Sequence, residues 1–92
     1  MQIITKIFKA LANEKRLKIL KLLLCNNEMT VSEITDELKM PFTTISRHLE
    51  KLRTVDLVKF RESGLNLYYS IGPPESRLKK TLISLIDQEF KG

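Results

Sequence analysis

The stretch TVSEITDELKMPFTTISRHLEKLR, from Thr30 to Arg53, decides the fold because it contains two helix signals with a short connection between them. Thr30 and Glu33 are spaced as a capping box, in which each side chain accepts a hydrogen bond from the other residue's amide. Apolar side chains then recur at helical spacing, at Val31, Ile34 and Leu38. Pro41 is expected at the first position of the next helix, where a missing N–H costs nothing.

Two short helices joined in this way form a helix-turn-helix, predicted here for residues 30–55. The second helix would be the recognition helix, which enters the major groove of double-stranded DNA with its N-terminal half. Its polar residues face away from the apolar stripe of Ile45, Leu49 and Leu52, and they are Thr43, Thr44, Ser46, Arg47 and Glu50. Arginine can pair with guanine, and a threonine methyl can contact thymine. An ordinary solvated helix face is the alternative interpretation.

The flanking segments complete the predicted order ααααββα, a mainly α protein with a small β-hairpin (α+β). Upstream, helical spacing covers residues 2–12 and about 14–25, with Asn13 as the cap of the second helix. Asn26 is expected to end that helix in the left-handed conformation. Downstream, residues 57–61 and 67–71 are β-rich and enclose a turn at 62–66, and a last helix is predicted for 74–91. All 92 residues fit one domain, 1–92.

The hairpin at 57–71 directly follows the recognition helix, which is the position of a wing. Several of its residues would lie on a phosphate backbone or in a minor groove: Lys59, Arg61, Ser63, Gly64 and Asn66. A hairpin that only covers the core is the alternative. Leu65 is expected to be exposed in either case.

The composition favours a polyanionic partner and gives no sign of catalysis. Sixteen Lys and Arg against eleven Asp and Glu give a net charge of +5. The excess lies in residues 1–29, with six basic and two acidic side chains, whereas residues 30–72 balance at six and six. We find no cluster of catalytic residue types, no signal peptide pattern and no membrane-spanning apolar run, so a cytoplasmic non-enzyme is expected.

The segments Phe8–Leu20 (FKALANEKRLKIL) and Thr44–Arg53 (TISRHLEKLR), with Leu57-Val58 and Tyr68–Ile71, resemble the ArsR/SmtB family of repressors. The resemblance covers about residues 5–72. It implies a winged-helix homodimer whose terminal helices pair across the subunits and whose operator binding is weakened by an inducer.

The chain departs from the family at the positions that bind metal. Thr30 and Ser32 stand where metal sensors of the family often place two cysteines, and the last helix offers Asp87 and Glu89 without histidine. Transition metals prefer thiolate or imidazole ligands, so we expect no metal and no cofactor. Asp56 replaces a usual glycine, and aspartate tolerates a positive φ better than most residues.

Three single residues keep more than one interpretation at this stage. Phe42 is either a contact to a thymine methyl or a misplaced core residue. His48 can contact phosphate or act as a pH-linked switch, although a packed ring that fixes the recognition helix is preferred. Cys25, the only cysteine, is expected to be a small buried hydrophobe in preference to a redox switch.

The apolar residues of the first and last helices are too many for a monomer of this size to bury. They predict a homodimer interface formed by Ile3, Ile4, Ile7, Leu78, Leu82, Leu85 and Phe90. Twofold symmetry suits a palindromic operator. A last helix lying on a membrane surface ranks well below this interpretation, and no membrane partner is expected.

Together these observations predict a homodimeric, sequence-specific repressor that binds double-stranded DNA. Its signal stays open between an unknown small-molecule effector, a redox effector and constitutive binding. The alternative is a winged-helix protein interaction module that binds no DNA. Salt dependence separates the two, because neutralising phosphates makes DNA affinity fall steeply with salt.

Overall fold

The computed structural model describes residues 2–72 and 77–89 of the chain. Five helices and three strands follow in the order α1 (Gln2–Leu11), α2 (Glu14–Cys25), β1 (Met29–Thr30), α3 (Val31–Leu38), α4 (Phe42–Thr54), β2 (Val58–Ser63), β3 (Asn66–Ile71) and α5 (Arg77–Glu89). This is the predicted winged helix-turn-helix order with one added strand, β1. Within the described part of the chain, no helix has the length and apolar character to cross a bilayer.

The start of α2 agrees with the sequence prediction, and its end does not. Asn13 caps the helix, with its Oδ1 accepting from the amides of Lys15 at 2.9 Å and Arg16 at 3.3 Å. Asn26 ends the helix in an extended conformation, with φ −130° and ψ 134°, so the expected left-handed cap was wrong. Its backbone amide and its side chain both donate to the carbonyl of Leu22, at 3.1 and 2.9 Å, and hold the end of the helix.

Local signals position the two helices of the helix-turn-helix. Thr30 Oγ1 accepts from the amide of Glu33 at 3.2 Å, and Glu33 accepts from the amide of Thr30 at 2.8 Å, which confirms the capping box. Lys39 turns the chain in the left-handed region, at φ 56°. Pro41 precedes the first helical residue of α4 as its cap and does not occupy the helix's first position, a shift of one residue from the prediction.

The wing belongs to a three-stranded antiparallel sheet of order β1-β3-β2. Ser63 pairs with Asn66, so the turn contains only Gly64 and Leu65 and both strands are longer than predicted. Gly64 has φ +63° at the first turn position, as in a type II′ hairpin. β1 was missed because two residues carry no alternation, and they pair with Tyr68 and Tyr69 far along the chain.

Two residues fix how the wing joins the recognition helix. Asp56 lies in the left-handed region at φ 60°, as expected for a position that the family fills with glycine. Gly72 closes the hairpin at the same place, where its amide donates to the carbonyl of Leu57 at 3.0 Å. A Cβ at Gly72 would lie 2.6 Å from the carbonyl oxygen of Asp56, so a side chain there would push the wing away from α4.

The core lies between the helices and the inner face of the sheet. Its fully buried side chains come from all parts of the fold: Ile7, Ile19, Leu20, Ile34, Ile45, Leu49, Leu52, Leu57 and Val58. The last helix, α5, packs on α2, where Lys21 Nζ lies 2.8 Å from a carboxylate oxygen of Asp87. Cys25 is exposed at the end of α2, so the expectation of a buried cysteine was wrong. Leu23 and Leu24 face inward on α2, so the next residue, Cys25, faces outward.

Candidate nucleic-acid interface

The recognition helix α4 divides into a buried stripe and a polar face, as its spacing predicted. Ile45, Leu49 and Leu52 have no exposed surface. The outward residues are Thr43, Arg47 and Glu50, which are exposed, with Thr44 and Ser46 half-buried at the edges. Hydroxyl and guanidinium groups therefore occupy the N-terminal half of the helix, where a major groove would be read.

The charged side chains on this face differ in whether they already have a partner. Glu50 accepts from Arg53 Nε at 2.9 Å, and this hydrogen bond holds the pKa of Glu50 below its usual value of 4.5. The Arg53 guanidinium also lies 6.0 Å from the centre of the Phe60 ring. Arg47 has no carboxylate partner within residues 2–72 and 77–89, so it is the cation on this face that is ready for a new acceptor.

Phe42 at the start of α4 is 54% exposed, which excludes it from the core. It borders a cavity of about 190 Å³ whose other walls come from α3 and the wing tip: Thr30, Val31, Ser32, Leu65, Asn66 and Leu67. The first turn of α4 contains no acidic residue, so the positive end of the helix dipole is not offset there. An apolar ring and a positive helix end thus lie together beside the wing.

His48 is held in place by Arg16, a residue that no sequence pattern singled out. Arg16 Nε, on α2, donates to His48 Nδ1 at 3.1 Å. Burial lowers the pKa of His48 below 6.5, and the charges of Arg16, Lys15, Lys51 and Arg47 lower it further. This hydrogen bond is the kind of contact that the preferred interpretation of His48, a packed ring that fixes the recognition helix, requires.

The two cationic side chains of the wing differ in their partners. Arg61 donates to both carboxylate oxygens of Glu28, from Nε at 2.6 Å and Nη2 at 2.9 Å, and lies 4.7 Å from the centre of the Tyr68 ring. The pKa of Glu28 is lowered by this hydrogen bond. Lys59 is exposed and forms no ion pair with a described residue. The predicted tip residues Ser63, Gly64 and Asn66 are all exposed, and Leu65 is fully exposed between them.

Exposed apolar side chains mark a second surface on the terminal helices. Ile4 is 44% exposed and Leu85 is 55% exposed, whereas Ile7 is buried within the subunit and Leu82 is half-buried against the core. Phe8, one turn after Ile4, is 50% exposed and was missing from the predicted interface. The side chains of Ile3 and Leu78, and all of Phe90, lie outside the described residues.

The described residues contain no group of three or more His, Cys, Asp or Glu side chains arranged to hold a metal ion. The two positions that carry cysteines in metal sensors of the resembled family, Thr30 and Ser32, are here the cap and the first turn of α3. Thr30 Oγ1 is already bound to the amide of Glu33.

Sequence reasoning missed Arg16, Glu28 and Phe8 for different reasons. Arg16 and Glu28 act across 32 and 33 residues of sequence, which no local pattern reveals. Phe8 had a signal, since it follows Ile4 at a spacing of four, but helical spacing alone does not separate the buried edge of an apolar stripe from the exposed edge.

A helix-turn-helix with an exposed polar recognition helix, followed directly by a wing, defines the class of winged-helix DNA-binding proteins. Residues 13–59 match the model of the bacterial regulatory proteins of the arsR family. The chain belongs to this family, and it is therefore a DNA-binding transcriptional regulator and not an enzyme.

Relatives from three organisms agree with this assignment. An HTH-type transcriptional regulator of Methanocaldococcus jannaschii is 45% identical over 84 residues, which are 90% of each chain. The transcriptional activator HlyU of Vibrio cholerae is 36% identical over 84 residues, or 91% of this chain and 74% of HlyU. A structure of HlyU superposes with a TM-score of 0.82 at 32% identity, covering 99% of this chain and 95% of that one.

A homodimeric winged helix-turn-helix DNA-binding domain of Mycobacterium bovis, solved in solution, superposes with a TM-score of 0.79. It is 32% identical, and the match covers 98% of this chain and 80% of that domain. Binding to DNA as a homodimer is thus typical of the relatives.

Proposed function

We propose that the protein is a homodimer that recognises a specific sequence in double-stranded DNA and represses transcription by occupying it. The observation that carries the proposal is Arg47, an exposed arginine without a carboxylate partner in the described chain, on the outward face of α4. Thr43, Thr44 and Ser46 share the N-terminal half of that helix and supply the remaining donors and methyl groups.

The wing holds the DNA backbone in this proposal. Lys59 and the tip residues Ser63, Gly64 and Asn66 are exposed and supply the contacts. Arg61 joins them only by exchanging Glu28 for a phosphate, since its guanidinium is engaged by both oxygens of that carboxylate. Phe42 contacts a thymine methyl beside the wing, which its exposure and its place at the start of α4 favour.

His48 positions the recognition helix through Arg16 and does not read bases. Its Nδ1 is occupied by the Arg16 hydrogen bond, so only Nε2 remains to reach a phosphate. In this proposal His48 belongs to the interface as a residue that positions the helix carrying Thr44 and Arg47.

Repression is proposed because it needs only occupancy of promoter DNA, which the recognition helix and the wing supply. Activation needs a further contact with the transcription machinery. The related HlyU is named an activator, so a reporter assay is required: Arg47→Ala should raise expression from the bound promoter. A fall in expression would contradict repression and leave DNA binding intact. We also propose a cytoplasmic location and an effector other than a transition metal, in view of Thr30 and Ser32.

The test of DNA recognition is a titration of labelled duplexes with wild type, Arg47→Ala and the control Lys18→Ala, which removes the same charge from α2. If Arg47 pairs with a base, its loss costs about 1–3 kcal/mol on the preferred sequence and much less on random DNA. Equal losses on both duplexes would place Arg47 on phosphate. Salt-independent binding by the wild type, or none, would overturn the proposal in favour of a protein interaction module.

A further inference from the structure

A cleft of about 290 Å³ lies where α1, α2 and the C-terminal half of α4 meet, and none of its lining residues belongs to the wing. Four of its seven lining residues are cationic: Lys6 and Lys9 from α1, Arg16 from α2 and Lys51 from α4. The remaining three are Ala10, Thr54 and Val55. No carboxylate lines the cleft, although the chain has eleven acidic residues, so its chemistry is that of an anion site.

The arginine of this cleft is fixed in place without losing its charge. Arg16 Nη1 donates to the carbonyls of Lys9 and Ala10, each at 3.2 Å, and Nε donates to His48 at 3.1 Å. All of these acceptors are neutral. The guanidinium is therefore held by several hydrogen bonds while its positive charge stays uncompensated, which is the preorganisation that favours binding of an anion.

The three lysines have no opposite charge within ion-pair distance in the described residues. The ion pairs found there use other cations, Lys18, Lys21, Arg53 and Arg61. Lys6, Lys9 and Lys51 are exposed and share one cavity with Arg16, so an anion bound there would reduce the repulsion between four like charges. The lowered pKa of His48, to which Arg16 and Lys51 both contribute, agrees with a positive potential here.

The cleft continues the recognition face. Lys51 follows Arg47 by one helical turn and Thr54 follows Lys51 by another, so a line of side chains leads from the proposed base contact into the cleft. We infer that the cleft binds phosphate groups of the DNA backbone that flank the bases read by α4, in addition to those that the wing would hold. This inference rests on the proposed function, because its ligand is the same DNA.

The test compares Lys9→Gln/Lys51→Gln with Lys18→Gln/Lys80→Gln, which removes the same charge from exposed lysines that do not line the cleft. Affinity for duplex DNA is measured at several salt concentrations. The slope of log K against log salt should become shallower in the cleft variant by about 0.9 for each lost phosphate contact. Preferred and random duplexes should lose affinity equally, since phosphate contacts carry no sequence information.

A cleft variant whose slope equals that of its control would overturn this inference and leave the proposed function standing. Absence of salt-dependent DNA binding by the wild type would overturn both. The single variants Lys9→Gln and Lys51→Gln repeat the comparison at half the charge change, so the outcome does not depend on the folding of the double variant.

Discussion

At the scale of single residues, His48 shows how a side chain of the recognition helix is fixed by a contact with another helix. The ring lies between the core stripe and the outward face of α4, and Arg16 binds its Nδ1. Arg16 also binds the last carbonyls of α1, so the recognition helix, α2 and α1 are joined by a single guanidinium. Sequence spacing placed His48 at the edge of the core, but only the fold could supply its partner.

The same contact predicts how stability depends on pH. Burial and neighbouring cations hold the pKa of folded His48 below 6.5, its ordinary value in the unfolded chain. Just below that value the unfolded chain binds more protons, so the free energy of unfolding should fall as the pH falls. Thermal melts between about pH 7.5 and about pH 5.5 should show a decrease for the wild type and a smaller one for His48→Gln.

The carboxylates of Glu28 and Glu50 do not affect this comparison. Their pKa values lie below 4.5, so both groups titrate below the pH range of the melts. Equal decreases in wild type and His48→Gln would show that His48 is not the group responsible.

At the scale of elements, local chemistry predicted the helices well and the strands less well. Asn13 and the pair Thr30 and Glu33 begin their helices as expected, because capping depends on residues within three positions of each other. Local patterns did not predict β1, because it pairs with residues far along the chain. They did not predict the end of α2 either, where the side chain of Asn26 donates to the helix. The extra length of β2 and β3 follows from a two-residue turn at Gly64, which the sequence could place only within a five-residue window.

The capping box should contribute measurably to stability at this scale. Thr30→Ala removes the acceptor for the amide of Glu33 and should lower the free energy of unfolding by about 0.5–2 kcal/mol. Ser32→Ala, in the same turn and exposed, is the control and should have little effect. Thr30→Ser should keep most of the stability, since it retains the hydroxyl. Denaturant unfolding measures all three, and a Thr30→Ala midpoint equal to that of Ser32→Ala would argue against a stabilising cap.

At the scale of the whole molecule, the sequence predicted the residues of the recognition face more closely than the exposed residues of the terminal helices. The recognition face needed only helical phasing, so Thr43, Ser46 and Arg47 lie as expected. The proposed dimer face depends on the packing of α1 and α5, and the structure buries Ile7 in the core and leaves Phe8 exposed. The basic cleft joins three elements and has no sequence signature beyond the excess of charge in residues 1–29.

The exposed apolar residues of the terminal helices lead to the prediction about assembly. Ile4, Phe8 and Leu85 remain about half exposed although the core is closed around Ile7 and Ile86, and the proposed homodimer would cover them with a second copy. Sedimentation across a range of concentrations should show a wild-type dimer, and Phe8→Asp with Leu85→Asp should yield monomers, since a charge would be buried without a partner. Leu65→Asp is the matched control, because Leu65 is fully exposed on the wing and should not affect assembly. A monomeric wild type, or an aspartate variant that still dimerises, would refute an interface on these helices. Monomers should also bind a palindromic duplex more weakly, because two linked half-sites would no longer be held together.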